Sequence, residues 1–163
     1  MTRRIPAVCV VFVLLVGAAG CSSPFKSTPQ LTASSTSADV AAVRANANAG
    51  DARAQFNLGY AYYLGRGVPQ DDAQAVTWYR QAAEQGDAVA QSTLGYAYRD
   101  GQGVLQDDVE AHKWFNLAAS RASAENRKAY AKARDALVTR MTPQQFAESQ
   151  KLARAWVAAF GAR

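Results

Sequence analysis

The sequence predicts an all-α solenoid, and three observations carry that prediction. Residues 51–86 and 87–122 are back-to-back copies of one unit, opening DARAQFNLGYAYYLGRGVPQDD and DAVAQSTLGYAYRDGQGVLQDD and identical at 19 of 36 positions without a gap. Within each copy the apolar residues recur at helical spacing, and a Gly-x-Gly turn splits the copy into two helices. A fixed period of this size marks units that bury their apolar faces only against their neighbours. Solenoids present extended surfaces, so the pattern argues for binding without naming the partner.

The chain opens on a leader-like segment. Arg3 and Arg4 precede an almost continuous apolar run from Ala7 to Gly20, which ends at Gly17-Ala18-Ala19-Gly20-Cys21. Fourteen residues make a helix of about 21 Å, short of a hydrocarbon core of about 30 Å, so residues 1–20 read as a signal peptide and not a span. The general secretory route is expected in preference to the twin-arginine one. The small residues before Cys21 resemble a bacterial lipoprotein signal, in which that cysteine is acylated. Ala18 stands where such signals prefer Leu, and ordinary cleavage after Ala19 or Gly20 is the alternative, leaving a soluble periplasmic or secreted protein. With Cys9 in the leader and Cys21 as the anchor, the folded part holds no thiol, which excludes disulfides and thiolate chemistry there. Ser22 fits sorting to the outer membrane.

Residues 21–37 are rich in Ser, Thr and Pro and read as a flexible tether. Residues 38–50 carry a weak helical stripe of Val40, Val43 and Ala47 and read as an N-terminal capping helix. In the first repeat Asp51 caps a helix with Ala54, Leu58, Gly59 and Tyr62 on one face. Gly59 and Gly95 inside helices cost about 1 kcal/mol against Ala, which predicts the close approach of another backbone. Gly65, Gly67, Gly101 and Gly103 supply positive φ at the turns, with Val68 and Val104 plugging them. Asp71 and Asp107 open the second helices in a capping-box pattern, followed by Ala75, Trp78, Tyr79, Ala82 and Ala83, or Ala111, Trp114, Phe115, Ala118 and Ala119.

That order of residues, Ala, Leu-Gly, Tyr, Gly-x-Gly-Val, Asp, Ala, Trp-Tyr/Phe, Ala-Ala, resembles the Sel-one-like repeat, a relative of the tetratricopeptide repeat, over residues 51–122. The resemblance implies a right-handed superhelix of antiparallel helix pairs, with first helices lining the concave surface, and an adaptor role. Cysteine-rich relatives staple each repeat with a disulfide; this chain does not. Residues 123–163 break the pattern and are expected to close the open end of the solenoid with two helices. One runs from about Ser123 to Arg140; the other starts at Thr142-Pro143-Gln144-Gln145 and has an apolar stripe of Phe146, Leu152, Trp156 and Phe160.

Catalytic patterns are sparse. Ser23-Pro24-Phe25-Lys26 spells S-x-x-K, but it lies in the tether and no S-D-N or K-T-G follows. His112 is the only histidine, so one chain completes no His-based metal site or triad; it is expected in solvent on the flank of its helix. The paired aspartates read as caps. No cofactor and no metal are expected.

The first-helix face opposite Leu58 carries Arg53, Phe56, Asn57, Tyr60 and Tyr63, and the matching face of the second repeat carries Ser92, Tyr96 and Arg99. On the concave surface that the resemblance implies, these form an aromatic strip for a partner, or pack in part against the preceding helix. Charge is uneven: residues 21–120 hold 7 basic and 10 acidic side chains, residues 121–163 hold 9 and 3. An anionic envelope surface suits the basic end better than nucleic acid. The expected function is a non-enzymatic, outer-membrane adaptor lipoprotein facing the periplasm, binding a protein or peptide of the cell envelope. A peptidoglycan or other glycan binder is the alternative, and a β-lactam hydrolase or other hydrolase the remote one.

Overall fold

The computed structural model describes residues 37–161, so the leader, Cys21 and residues 22–36 lie outside the described residues. Within these limits the chain forms α1 (Ser37–Asn48), α2 (Ala52–Leu64), α3 (Asp72–Glu84), α4 (Ala88–Asp100), α5 (Asp108–Arg121), α6 (Ala124–Val138) and α7 (Pro143–Phe160), with no strand among the described residues. Each helix through α6 packs on the next, giving an α-α solenoid; α7 turns back and packs on α5. No described helix is long and apolar enough to cross a membrane.

Local chemistry sets the helix ends. Asp51 and Asp87 accept from the amides of Ala54 and Ala90 at 2.7 and 2.8 Å. Asp71 accepts from Gln74 at 2.9 Å, and Asp107 from Val109 and Glu110 at 2.8 and 3.1 Å. Each cap contributes about 1 kcal/mol by satisfying amides that a helix start leaves open. Gly65 and Gly101 end α2 and α4 at φ 66° and 69°, a left-handed backbone that costs other residues strain. Thr142 and Gln145 form a reciprocal capping box at α7, with Pro143 following.

Gly59 and Gly95 mark the tightest helix contacts, and here an aromatic ring replaces the expected backbone as the main neighbour. A Cβ on Gly95 would stand 2.8 Å from the Phe115 ring; on Gly59 it would stand 2.8 Å from the Tyr79 ring and 2.9 Å from the Ala75 carbonyl. Phe115 is fully buried, and burial pushes the Tyr79 hydroxyl well above the usual tyrosine range.

Polar staples repeat with the period. Gln55 donates to the Ala47 carbonyl at 3.2 Å, and Gln91, 36 positions on, donates to Ala83 at 3.0 Å. Both glutamines are buried, so each bond satisfies a carbonyl near a helix end at no exposed cost. Gln85 completes the first staple by donating to Gln55 Oε1 at 2.7 Å. One period later Arg121 stands in its place, but its guanidinium lies 4.9 Å from the Trp156 centroid, and Gln91 Oε1 has no partner.

The C-terminal helices close the open face of α5. Leu137 of α6 joins Ala111 and Phe115 in one cluster, while Ala153 and Trp156 of α7 join Leu94, Trp114 and Leu117 in another. The apolar stripe of α7 is rotated from the expected one. Its buried positions are Ser149, Ala153 and Trp156, and Phe146, Leu152 and Phe160 are only half-buried. Two small side chains let α7 come close to α5, so Trp156 meets Trp114 edge-on at 6.5 Å.

Candidate functional site

The aromatic residues of α2 form a ladder along one helix edge. Phe56 and Tyr60 stack with centroids 6.5 Å apart, and Tyr60 and Tyr63 follow at 6.5 Å. Spacings of three and four residues put all three on one side of the helix. Phe56 is anchored: its ring sits 5.4 Å from Tyr79 of α3, so it packs on the following helix and not the preceding one. Tyr60 is half-buried against the same cluster, with Arg66 at 5.7 Å over its ring. Tyr63 at the end of the ladder is 37% exposed. Arg53 is exposed beside the ladder and Asn57 half-buried.

On α4 the matching edge is thinner. Tyr96 is 36% exposed and stands edge-on to Phe115 at 4.8 Å, with Arg99 4.8 Å over its ring. Arg99 is tied to Asp100 at 2.7 Å. Ser92, one turn before Tyr96 on the same edge, is withdrawn from solvent: it is 4% exposed and its hydroxyl donates to the Val89 carbonyl at 2.8 Å, one turn back. Its proton is spent on its own helix and burial keeps the oxygen from a partner. The structure therefore brings Phe56, Tyr60 and Tyr63 together, adds Tyr96 on the next repeat, and removes Ser92.

His112 is buried, contrary to the expected solvent position. It is 3% exposed, because α7 lies over it: its Nδ1 is 2.9 Å from Ser149 Oγ, and its ring is edge-on to Phe146 at 5.2 Å. Ser149 Oγ also lies 2.7 Å from the Phe146 carbonyl, so its one proton goes to that oxygen when Nδ1 carries the imidazole proton and to Nδ1 when Nε2 carries it. Ser149 is fully buried, so this Ser–His pair has no nucleophile that a substrate could reach. Burial first, and the Arg134 charge second, hold the His112 pKa below the usual value, with Asp135 opposing. The folded state therefore binds fewer protons than the unfolded one near the ordinary histidine pKa. Stability should be full above about pH 6.5 and fall as pH drops through the depressed folded value. Thermal melts between pH 8 and 5.5 should show the melting temperature falling, and His112→Val, the residue type of position 76, should flatten that dependence.

The remaining acidic pairs are structural. Asp108 accepts from Arg140 through both carboxylate oxygens, which fastens the end of α6 to the start of α5. No group of three or more His, Cys, Asp or Glu among the described residues is placed to hold a metal ion. The signal that sequence reasoning missed is the repeated Gln55 and Gln91, identical in both copies and never apolar.

The geometry defines a helical repeat scaffold with an aromatic edge, and comparison with known proteins identifies the class. The Sel1 repeat model matches residues 52–87 and 88–123. The chain is a member of the Sel1-like repeat family, whose proteins are mostly protein-interaction scaffolds. A solved structure of a protective antigen present in uropathogenic Escherichia coli strains, displaying an SLR fold, is 34% identical with TM-score 0.69, covering 76% of this chain and 26% of that one. A Sel1 repeat protein from Oxalobacter formigenes is 41% identical with TM-score 0.52, covering 53% of this chain and 66% of that one. The chain thus spans about a quarter of the first structure and just under two thirds of the second. A search of curated proteins gives no match.

Proposed function

We propose that this protein is a non-enzymatic adaptor of the cell envelope that binds an extended segment of a protein partner along the aromatic edge of α2 and α4. The observation that carries the reading is the placement of Tyr63 and Tyr96: each is about one third exposed, on a rigid helix, backed by Tyr60 or Phe115. Rings held in this way give contact area at low entropy cost, the usual property of binding hot spots. Arg66 and Arg99 cover faces of Tyr60 and Tyr96, which leaves less ring surface for stacking on a sugar and disfavours the glycan alternative. Cys21 tethers the scaffold to the periplasmic face of the outer membrane in this reading.

The test is crosslinking and affinity capture from membranes with the parent chain and with Tyr63→Ser/Tyr96→Ser. The double variant should keep the parent's circular dichroism and melting temperature within a few degrees, and lose at least about tenfold in partner affinity, since truncation of a hot spot costs about 2 kcal/mol. Normal capture by the folded variant would remove the aromatic edge from the proposal. Cys21→Ser should move the protein from the membrane to the soluble fraction.

A further inference from the structure

The third helix junction departs from the two before it and opens a polar cleft. At the first, Arg44 of α1 donates to the Tyr62 hydroxyl of α2 at 2.9 Å, with its guanidinium 5.9 Å from the ring centroid. At the second, one period on, Arg80 and Tyr98 repeat the pair at 2.5 and 5.9 Å. At the third the equivalent residues are Asn116 and Arg134, and the bond runs the other way, from Arg134 Nη1 to Asn116 Oδ1 at 3.1 Å. The buried valines Val40 and Val76 likewise give way to His112. A tyrosine ring and a valine thus fill the first two junctions, while a guanidinium and an imidazole stand at the third.

Because α7 packs on α5 and not closely along α6, the space is not refilled. A cleft of about 390 Å³ remains between the three helices, and its lining includes His112, Asn116, Arg134, Asp135, Gln150 and Arg154. That volume lies within the range of small-ligand pockets, roughly 300–1,000 Å³. Arg134 is held by Asp135 at 2.7 Å and by Asn116. Arg154 and Gln150, facing it from α7, make no side-chain hydrogen bond or ion pair among the described residues. With His112 neutral, two guanidiniums against the Asp135 carboxylate leave one net positive charge, which matches a monoanion better than a phosphate dianion.

We propose that this cleft binds the carboxylate of a small ligand, with Arg154 supplying the free guanidinium and Asn116 and Gln150 the amides that contact the groups beside it. A planar guanidinium fork matches a carboxylate in shape as well as charge. Peptide C-termini and sugar acids both present this group next to hydrogen-bonding atoms. The site is separate from the aromatic edge, so substitution of Tyr63 and Tyr96 leaves it intact.

The experiment titrates the full chain, in detergent, with N-acetyl-alanyl-alanine, with its C-terminal amide, and with glucuronate. Calorimetry gives the affinity. The imidazole proton resonances of the chain's only histidine report whether the ligand sits in this cleft. Saturable binding of an acid that moves the His112 resonances, weakened about tenfold or more in the amide and in Arg154→Gln, supports the proposal. Binding of the dipeptide acid alone assigns the carboxylate to a peptide terminus; binding of glucuronate alone assigns it to a sugar acid. The exposed Arg154 permits the substitution without loss of melting temperature, so folding is controlled. Absence of binding by either acid at millimolar concentration, equal binding of acid and amide, or parent-like binding by Arg154→Gln overturns it.

Discussion

Deleting residues 123–163 should abolish cooperative folding of the two repeats that remain. The deletion removes α6 and α7 together, and both cover α5. Phe115 and Leu117 are at most 1% exposed and Trp114 is 4% exposed. Leu137 and Met141 pack over Phe115, and Ala153 and Trp156 over the Leu117 and Trp114 cluster. Uncovering a large apolar side chain costs about 1.5–3 kcal/mol, so partial exposure of these three costs roughly 5 kcal/mol. That is comparable to the whole stability of a small domain, about 5–15 kcal/mol. His112 would also lose its partner Ser149. Circular dichroism melts and light scattering check this: aggregation or a broad, non-cooperative melt is the expected result. A truncated chain that stays monomeric and melts like the parent would show that two repeats and α1 suffice.

The second large effect is centred on Phe115 and its glycine socket. Phe115 fills the space between α4, α5 and α6, edge-on to Tyr96 and against the missing side chain of Gly95. Phe115→Ala should cost about 3–5 kcal/mol, because the surrounding helices close such a cavity only in part. Gly95→Ala should destabilise as well, despite a gain of about 1 kcal/mol in helix propensity. Its new Cβ would fall 2.8 Å from a ring that Tyr96 and Leu137 prevent from moving away, and overpacking of this kind costs about 1–3 kcal/mol. The two effects should not add. In a Phe115→Leu background the smaller side chain vacates the socket, and Gly95→Ala should turn neutral or stabilising. Urea midpoints of the four proteins give the coupling directly. Simple additivity would mean that Gly95 is a glycine for some reason other than the Phe115 ring.

The repeat was legible because its determinants are local. Asp51, Asp71, Asp87 and Asp107 each meet an amide two or three residues ahead, and a Gly-x-Gly turn needs positive φ whatever surrounds it. The aromatic edge was legible in part. Helical spacing put Phe56, Tyr60 and Tyr63 on one side of α2, but spacing carries no information on which ring meets the next helix. Tyr79 claims Phe56, and the short Ser92 turns back on its own helix. Gln55 and Gln91 were hidden for the opposite reason. Their bonds reach eight residues back to the end of the previous helix, across a turn, and nothing apolar marks them.

By itself the sequence determined the period, the helix starts and stops, the glycine turns and the family, since each depends on residues within one or two helical turns of one another. Tertiary structure alone decided what happens to α5 at the end of the array. The repeat offers no precedent for a partner that folds back, so the burial of His112, the rotation of α7 about Ser149 and Ala153, and the diversion of Arg121 onto Trp156 follow from α7 docking. The physical reason is separation along the chain: caps and turns are settled by near neighbours, whereas the surroundings of His112 are set by a serine 37 residues away.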